Sequence, residues 1–156
     1  MARGEIGFVG LGIMGKPMVR NLIKADYAVT VYDVVAEAVE EMATEGATPA
    51  SSAAEVASKN PLVITMVPDS PQSEAAILGP NGVLEGASKG NTVIDMSSIA
   101  PASSKKIGEA CDAAGVSFMD APVSGGETGA IEGTLAVMVG GKKEVFDKNY
   151  DMLTAM

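Results

Sequence analysis

Residues 5 to 33 open with Glu5-Ile-Gly-Phe-Val-Gly-Leu-Gly-Ile-Met-Gly15 and close with Val29-Thr-Val-Tyr-Asp33. The stretch reads as a strand, a glycine turn, a helix, a second strand and one acidic residue at its end. Gly10, Gly12 and Gly15 stand in G-x-G-x-x-G spacing, and each has its own physical task. Gly10 lets the chain turn tightly, Gly12 lets the backbone approach a pyrophosphate, and Gly15 lets the helix pack close to the strand. Ile6, Phe8 and Val9 fit a buried parallel strand before the turn. Pro17 sits in the first helical turn, where a missing N–H costs little. The helix that starts there points its free N–H groups and the positive end of its dipole at the expected phosphates.

The rest of the chain continues the same alternation. Val34 to Glu45 carries Val35, Val39 and Met42 among alanines and glutamates, an amphipathic helix closed by Gly46. Ser51 or Ser52 caps a short helix ending near Asn60. Leu62 to Val67 is an apolar run between Pro61 and Pro68, a third strand. Ser70 caps a helix with Pro71 at its first position. Asn91–Asp95 is a fourth strand, Pro101 to Ala114 a helix stopped by Gly115, Val116 to Asp120 a fifth strand, Leu135 to Val139 a sixth, and Lys142 to Met156 a final helix. Short right-handed crossovers between parallel strands give an α/β fold of the Rossmann type, with a doubly wound, mostly parallel sheet. Ligands of such sheets sit beyond the carboxyl ends of the strands. That singles out Gly10 to Gly15, Asp33, Val67 to Asp69, Met96 to Ser98 and Ala121 to Gly126.

Composition narrows the chemistry. The 156 residues suit one domain, 1–156, with a core large enough to need no staples. Cys111 is the only cysteine and histidine is absent, so a disulfide framework, a metal centre and a Ser-His-Asp triad are not expected. Cys111 itself reads as a packed small hydrophobe. The formal charge of −9 disfavours nucleic acid and anionic membrane as partners. No apolar run reaches bilayer length, and the amino terminus carries no apolar signal segment, so a cytoplasmic protein is expected.

Asp33 is placed to accept hydrogen bonds from both hydroxyls of an adenosine ribose, and its charge repels a 2′-phosphate. Val34 and Val35 supply no arginine to hold that phosphate, so NAD (NADH) is favoured over NADPH. Val67-Pro68 and Ser97-Ser98 would face the nicotinamide half of the cofactor, although the two serines could equally be helix caps. Ser124, Gly125 and Gly126 present successive backbone N–H groups with no side chains in the way, which suits a small carboxylate.

Four motifs, in order, now carry a resemblance over nearly the whole chain. They are Gly7-Phe-Val-Gly-Leu-Gly-Ile-Met-Gly-Lys-Pro-Met18, Ile64-Thr-Met-Val-Pro-Asp-Ser70, Ile94-Asp-Met-Ser-Ser-Ile-Ala-Pro101 and the segment from Asp120 to Gly141. The sequence resembles the cofactor domain of the β-hydroxyacid dehydrogenases, the 3-hydroxyisobutyrate dehydrogenase family. Within it, Asp95-Met-Ser-Ser-Ile-Ala-Pro101 and the Ser-Gly-Gly-Glu segment at 124–127 are most similar to the branch that reduces tartronate semialdehyde to glycerate. The resemblance implies that Gly10, Leu11, Gly12, Ile13, Met14 and Gly15 hold the pyrophosphate through their backbone and that Asp33 holds the ribose. It further implies that Val67, Pro68, Gln72 and Ser98 line the rest of the cofactor site, and that Ser124, Gly125 and Gly126 bind the substrate carboxylate.

The family is about twice as long, and its catalytic lysine lies on a helix of an all-helical second half. No lysine of this chain, Lys16, Lys105 and Lys142 included, falls at the matching position. The resemblance thus implies that the helical domain is absent here, that the chain stops before the family's last sheet strands, and that no catalytic residue lies within it. It implies a small 3-hydroxy acid or semialdehyde carboxylate as substrate, and a homo-oligomer for the full-length protein. Two rivals stand beside this reading: 3-hydroxyisobutyrate or succinic semialdehyde/glyoxylate chemistry in the same family, and a non-catalytic dinucleotide-binding module.

Overall fold

Strand β1 (Gly4–Val9) lies inside a six-stranded parallel sheet, flanked by β2 (Tyr27–Tyr32) on one side and β4 (Leu62–Thr65) on the other. The computed structural model describes residues 2–156. Beyond β2 lies the short edge strand β3 (Thr48–Pro49), and beyond β4 lie β5 (Thr92–Asp95) and β6 (Ser117–Asp120). The order is therefore β3-β2-β1-β4-β5-β6. The chain builds outward from β1 in one direction, returns, and builds outward in the other, which leaves a crevice between the ends of β1 and β4 where the crossovers diverge.

Every residue of β4 and β5 is buried, as strands covered on both faces must be. On one face Phe8, Val31, Ile64 and Ile94 meet Met18 and Leu22 of α1 (Gly15–Lys24), Met42 of α2 (Ala36–Thr44) and Met152 of α8 (Lys143–Leu153). On the other, Val9, Val63 and Val93 meet Val56 of α3 (Ala53–Lys59), Ile77 of α4 (Ser70–Leu78), Val83 of α5 (Val83–Gly86) and Ile107 and Cys111 of α6 (Pro101–Ala113). Burial pushes the Cys111 thiol up to about 11, so it packs as a hydrophobe. The outer face of α1 carries Lys16 and Arg20. Both pair with α2, Lys16 with Glu41 and Arg20 with Glu45 at 2.6 Å.

Ser52 is the residue that caps α3: its hydroxyl accepts the Glu55 N–H at 3.0 Å. Glu55 in turn accepts from the Ser51 N–H at 2.6 Å and pairs with Lys59. The Lys59 and Ser51 hydrogen bonds hold its carboxyl at about 2.

Several sequence expectations need correction. Leu135 to Val139 is not a sixth strand of the parallel sheet. Its ordered part, β8 (Ala136–Val137), pairs antiparallel with β7 (Val123–Ser124) in a separate two-stranded sheet. The intervening α7 (Gly126–Glu132) reverses the chain, so the run returns past Asp120 rather than crossing over. The sixth sheet position belongs instead to Thr48–Pro49, too short to show a period in the sequence.

The third expected strand ends at Thr65, two residues early, as the chain bends toward Pro68. Asp69, not Ser70, is the N-cap of α4, and the Ser70 hydroxyl accepts the Ala100 N–H at 2.9 Å instead. Neither Ser97 nor Ser98 caps α6, whose N-cap is Ala100 with no side-chain bond.

The one-turn helix α5 is too short to carry a helical period, and it packs closely on α3. A Cβ on Gly86 would stand 1.8 Å from the Ala54 carbonyl oxygen, a backbone atom that cannot swing away. Helix propensity alone favours Gly86→Ala. The contact reverses the sign, and the variant is expected to lose about 1–3 kcal/mol in urea unfolding.

Candidate dinucleotide site

A cavity of about 860 Å³ opens over the crevice at the ends of β1 and β4. Its volume falls within the ordinary range for small-molecule sites. Ten of the eleven residues expected to bind the cofactor line it: Gly10, Gly12, Ile13, Met14, Gly15, Asp33, Val67, Pro68, Gln72 and Ser98. Leu11 does not. Its side chain is buried in the core, and its N–H donates to Asp33 Oδ2 at 2.7 Å.

The three glycines divide their work by steric environment. Gly10 has φ of 106°, and a Cβ there would lie 2.0 Å from the Met66 carbonyl oxygen, so it allows β1 and β4 to converge. A Cβ on Gly15 would lie 1.9 Å from the Gly10 carbonyl oxygen, so α1 could not seat against β1 with any larger residue. At Gly12 a Cβ would meet nothing within 4 Å. That position opens on the cavity, where a side chain would take the room a ligand needs. Helix α1 has no side-chain N-cap, and the N–H groups of Ile13, Met14 and Gly15 have no acceptor among the described residues. Free donors, the helix dipole and an open glycine together fit a pyrophosphate.

Asp33 follows β2 directly. Its Oδ1 accepts the Val35 N–H at 2.8 Å while Oδ2 accepts the Leu11 N–H. One carboxylate therefore ties the glycine turn to the start of α2 and keeps lone pairs free on both oxygens. Among the described residues it is also the only charged one lining the cavity, and no lysine or arginine lines it. Lys16 and Arg20 are both engaged by glutamates of α2. The residues present thus fit a diol-bearing ribose and offer no cation to a 2′-phosphate. Val34 and Val35, 87% and 51% exposed, add an apolar rim beside it.

Behind the opposite wall, hydrogen bonds fix the strand ends. Thr65 Oγ1 donates to Asp95 Oδ1 at 2.9 Å, the Ser97 N–H donates to the same oxygen at 3.1 Å, and the Val67 N–H donates to Ser97 Oγ at 2.9 Å. Ser97 is therefore buried and structural, and only its neighbour Ser98 reaches the cavity.

Ser124, Gly125 and Gly126 are exposed at the start of α7 and are not among the cavity's lining residues. Sequence reasoning missed Ser51, Ser52, Ala76 and the Pro80-Asn-Gly82 turn, which also line the cavity. The turn's place beside the cavity follows from the α3–α5 packing, which leaves no short-range signal. Among the described residues no group of three or more His, Cys, Asp or Glu could hold a metal ion, and no helix is long and apolar enough to cross a membrane.

The strand order, the cavity at the switch point and the lone acidic residue after β2 define a Rossmann-type dinucleotide-binding domain. More particularly, residues 5–156 match the family described as the NAD binding domain of 6-phosphogluconate dehydrogenase. The chain belongs to that family and, within it, to the 3-hydroxyisobutyrate dehydrogenase group. It is 42% identical over 144 residues to the 2-hydroxy-3-oxopropionate reductase of Escherichia coli (strain K12), covering 92% of this chain and 49% of that protein. It is 43% identical over 155 residues to the mitochondrial 3-hydroxyisobutyrate dehydrogenase of Homo sapiens, covering 99% and 46%. The Mycobacterium tuberculosis 3-hydroxyisobutyrate dehydrogenase, solved with L-serine, superposes with a TM-score of 0.90 at 33% identity over 100% of this chain and 52% of its own. The chain spans about half the length of the curated relatives it matches.

One substitution separates binding from folding and a second couples them. Gly12→Ala is expected to leave the urea midpoint nearly unchanged while weakening NADH about tenfold or more in a fluorescence titration, because the added methyl enters open cavity. Asp33→Ser is expected to weaken NADH and to lower stability by about 1–3 kcal/mol as the Leu11 N–H loses its acceptor. NADPH binding should not overtake NADH in that variant, since no cation is uncovered; a reversal of preference would refute the account of Asp33.

Proposed function

We propose that residues 1–156 form the cofactor-binding half of an NAD-dependent reductase that interconverts tartronate semialdehyde and glycerate. The observation that carries the cofactor half of this reading is the cavity with Asp33 as its single charge. The substrate half rests on the motifs at 95–101 and 124–127 and on the similarity to the 2-hydroxy-3-oxopropionate reductase.

When bound, NADH supplies the hydride that reduces the semialdehyde carbonyl. The chain's own contribution is positioning. Backbone N–H groups from Gly12 to Gly15 hold the pyrophosphate without a basic side chain, and Asp33 accepts from the ribose hydroxyls. Val67, Pro68, Gln72 and Ser98 form the wall against which the nicotinamide half rests. Ser124, Gly125 and Gly126 are the candidate site for the substrate carboxylate. Gly125 and Gly126, with φ of 141° and 62°, hold backbone conformations that side-chain-bearing residues rarely adopt. The proton reaching the product alkoxide comes from a lysine that the family carries beyond the residues matched here.

A second reading, 3-hydroxyisobutyrate oxidation, is favoured by the 43% identity to the human enzyme. The ratio of kcat/KM for glycerate and 3-hydroxyisobutyrate, measured on the whole protein with NAD, discriminates the two. The 156-residue chain alone is expected to bind NADH more tightly than NADPH and to turn over neither substrate. Steady NADH-dependent reduction of tartronate semialdehyde by this chain would sink the assignment of the proton donor.

A further inference from the structure

Thr65, Asp95 and Asp120 stand opposite one another in register on the adjacent parallel strands β4, β5 and β6. Strands about 4.8 Å apart project register partners from the same face, so the three side chains form one polar row across the carboxyl end of the sheet. The row is not fully satisfied. Asp95 is 0% exposed, and while its Oδ1 accepts from Thr65 and Ser97, its Oδ2 is buried with no partner among the described residues. Asp120 Oδ1 is likewise buried with no partner. Two carboxylates in register, each with a buried oxygen that no donor meets among the described residues, repel across the row.

We propose that Asp95 and Asp120 share one proton in the folded domain, carried by Asp120 and donated to Asp95 Oδ2, and that Asp95 so held is a positioning residue for the cofactor cavity. Asp120 is the partner that carries the proton because Asp95 already accepts two hydrogen bonds on its other oxygen. Burial, and next the charge of Asp95, push the Asp120 carboxyl above the usual aspartate range, while the Ser104 hydroxyl on α6 works against them. On the helices covering this face, half-buried Glu74 of α4 accepts from Ser103 at 2.7 Å and pairs with exposed Lys106 of α6 at 2.7 Å. Lys105 and Glu109, also on α6, are exposed at 79% and 70%. On the opposite side of the sheet α8 turns Asn149, Met152 and Leu153 inward, and the Asp120 backbone is bridged to Gly140.

From Asp95 the connection to the cavity is direct. Asp95 Oδ1 fixes the Ser97 backbone, Ser97 Oγ fixes the Val67 N–H, and Val67 lines the cavity. Loss of the shared proton leaves two facing charges behind that wall. A group whose carboxyl is raised on folding holds more protons folded than unfolded, so its contribution is complete below the unfolded value and is lost as pH rises through the folded value.

The test uses the 156-residue chain, its D120N and D95N variants, carbon-13 carboxyl NMR titration, urea midpoints and NADH titrations from pH 4 to 9. The side-chain amide introduced by D120N supplies an N–H donor where Asp120 supplies O–H, so the wild-type midpoint should fall relative to that of D120N as pH rises, the depressed glutamates Glu45, Glu55 and Glu74 contributing equally to both. NADH affinity of the wild type should fall along with that midpoint, and D120N should flatten the profile. D95N should weaken NADH about tenfold at every pH. In the wild type one aspartate carboxyl should titrate well above the others, and D120N should remove that resonance. The proposal is overturned if Asp120 titrates with the other aspartates, or if D120N shows the same pH profile as the wild type. Because the positioning role rests on the cofactor reading above, it fails together with that reading if neither the wild type nor any variant binds NADH. The carboxyl resonances would then still report whether the proton is shared.

Discussion

The seating of α1 against β1 is the contact on which the rest of the domain depends. With a Cβ on Gly15 excluded by the Gly10 carbonyl and a Cβ on Gly10 excluded by Met66, one helix terminus is brought to the ends of two strands at once. The direction of the α1 axis, the opening of the cavity and the exposure of unpaired N–H groups all follow from that approach. Moving the helix outward by the width of a methyl group would keep the hydrophobic pattern and lose the site.

Charge is used sparingly around that seat. A chain with 20 acidic and 11 basic residues places, among the described residues, one acidic side chain in the cavity and no basic one. The cations nearest in sequence to the glycine turn, Lys16 and Arg20, are spent on α2 glutamates at the surface, where such pairs contribute little to stability. Their effect is on what remains available: an anion bound here is met by backbone dipoles alone, which select for shape more than for charge.

What could be read from the sequence was what depends on neighbours along the chain. The glycine spacing, Asp33 after the second strand and the buried runs at 62–65 and 92–95 each carry their signal within a few residues. Their assembly into a doubly wound, mostly parallel sheet needed only the right-handed crossover rule. The unread parts depend on partners distant in sequence. Thr48–Pro49 is a strand only because Val31 and Thr30 are there to pair with it. The 135–139 run has a strand's composition but takes its direction from the reversal through α7. Leu11 is adjacent to two site glycines and still belongs to the core. Ser97 and Ser98 are identical residues in sequence, yet one is wholly buried under the Val67 amide and the other faces the cavity.

Asp33 holds the Leu11 N–H with one oxygen and the Val35 N–H with the other, and it is also the residue we propose meets the ribose. Recognition and architecture are therefore written in a single side chain. Exchanging that residue alone would remove an anchor of the glycine turn together with the proposed ribose acceptor. A change of cofactor preference at this position therefore calls for a second substitution that gives the Leu11 N–H another acceptor.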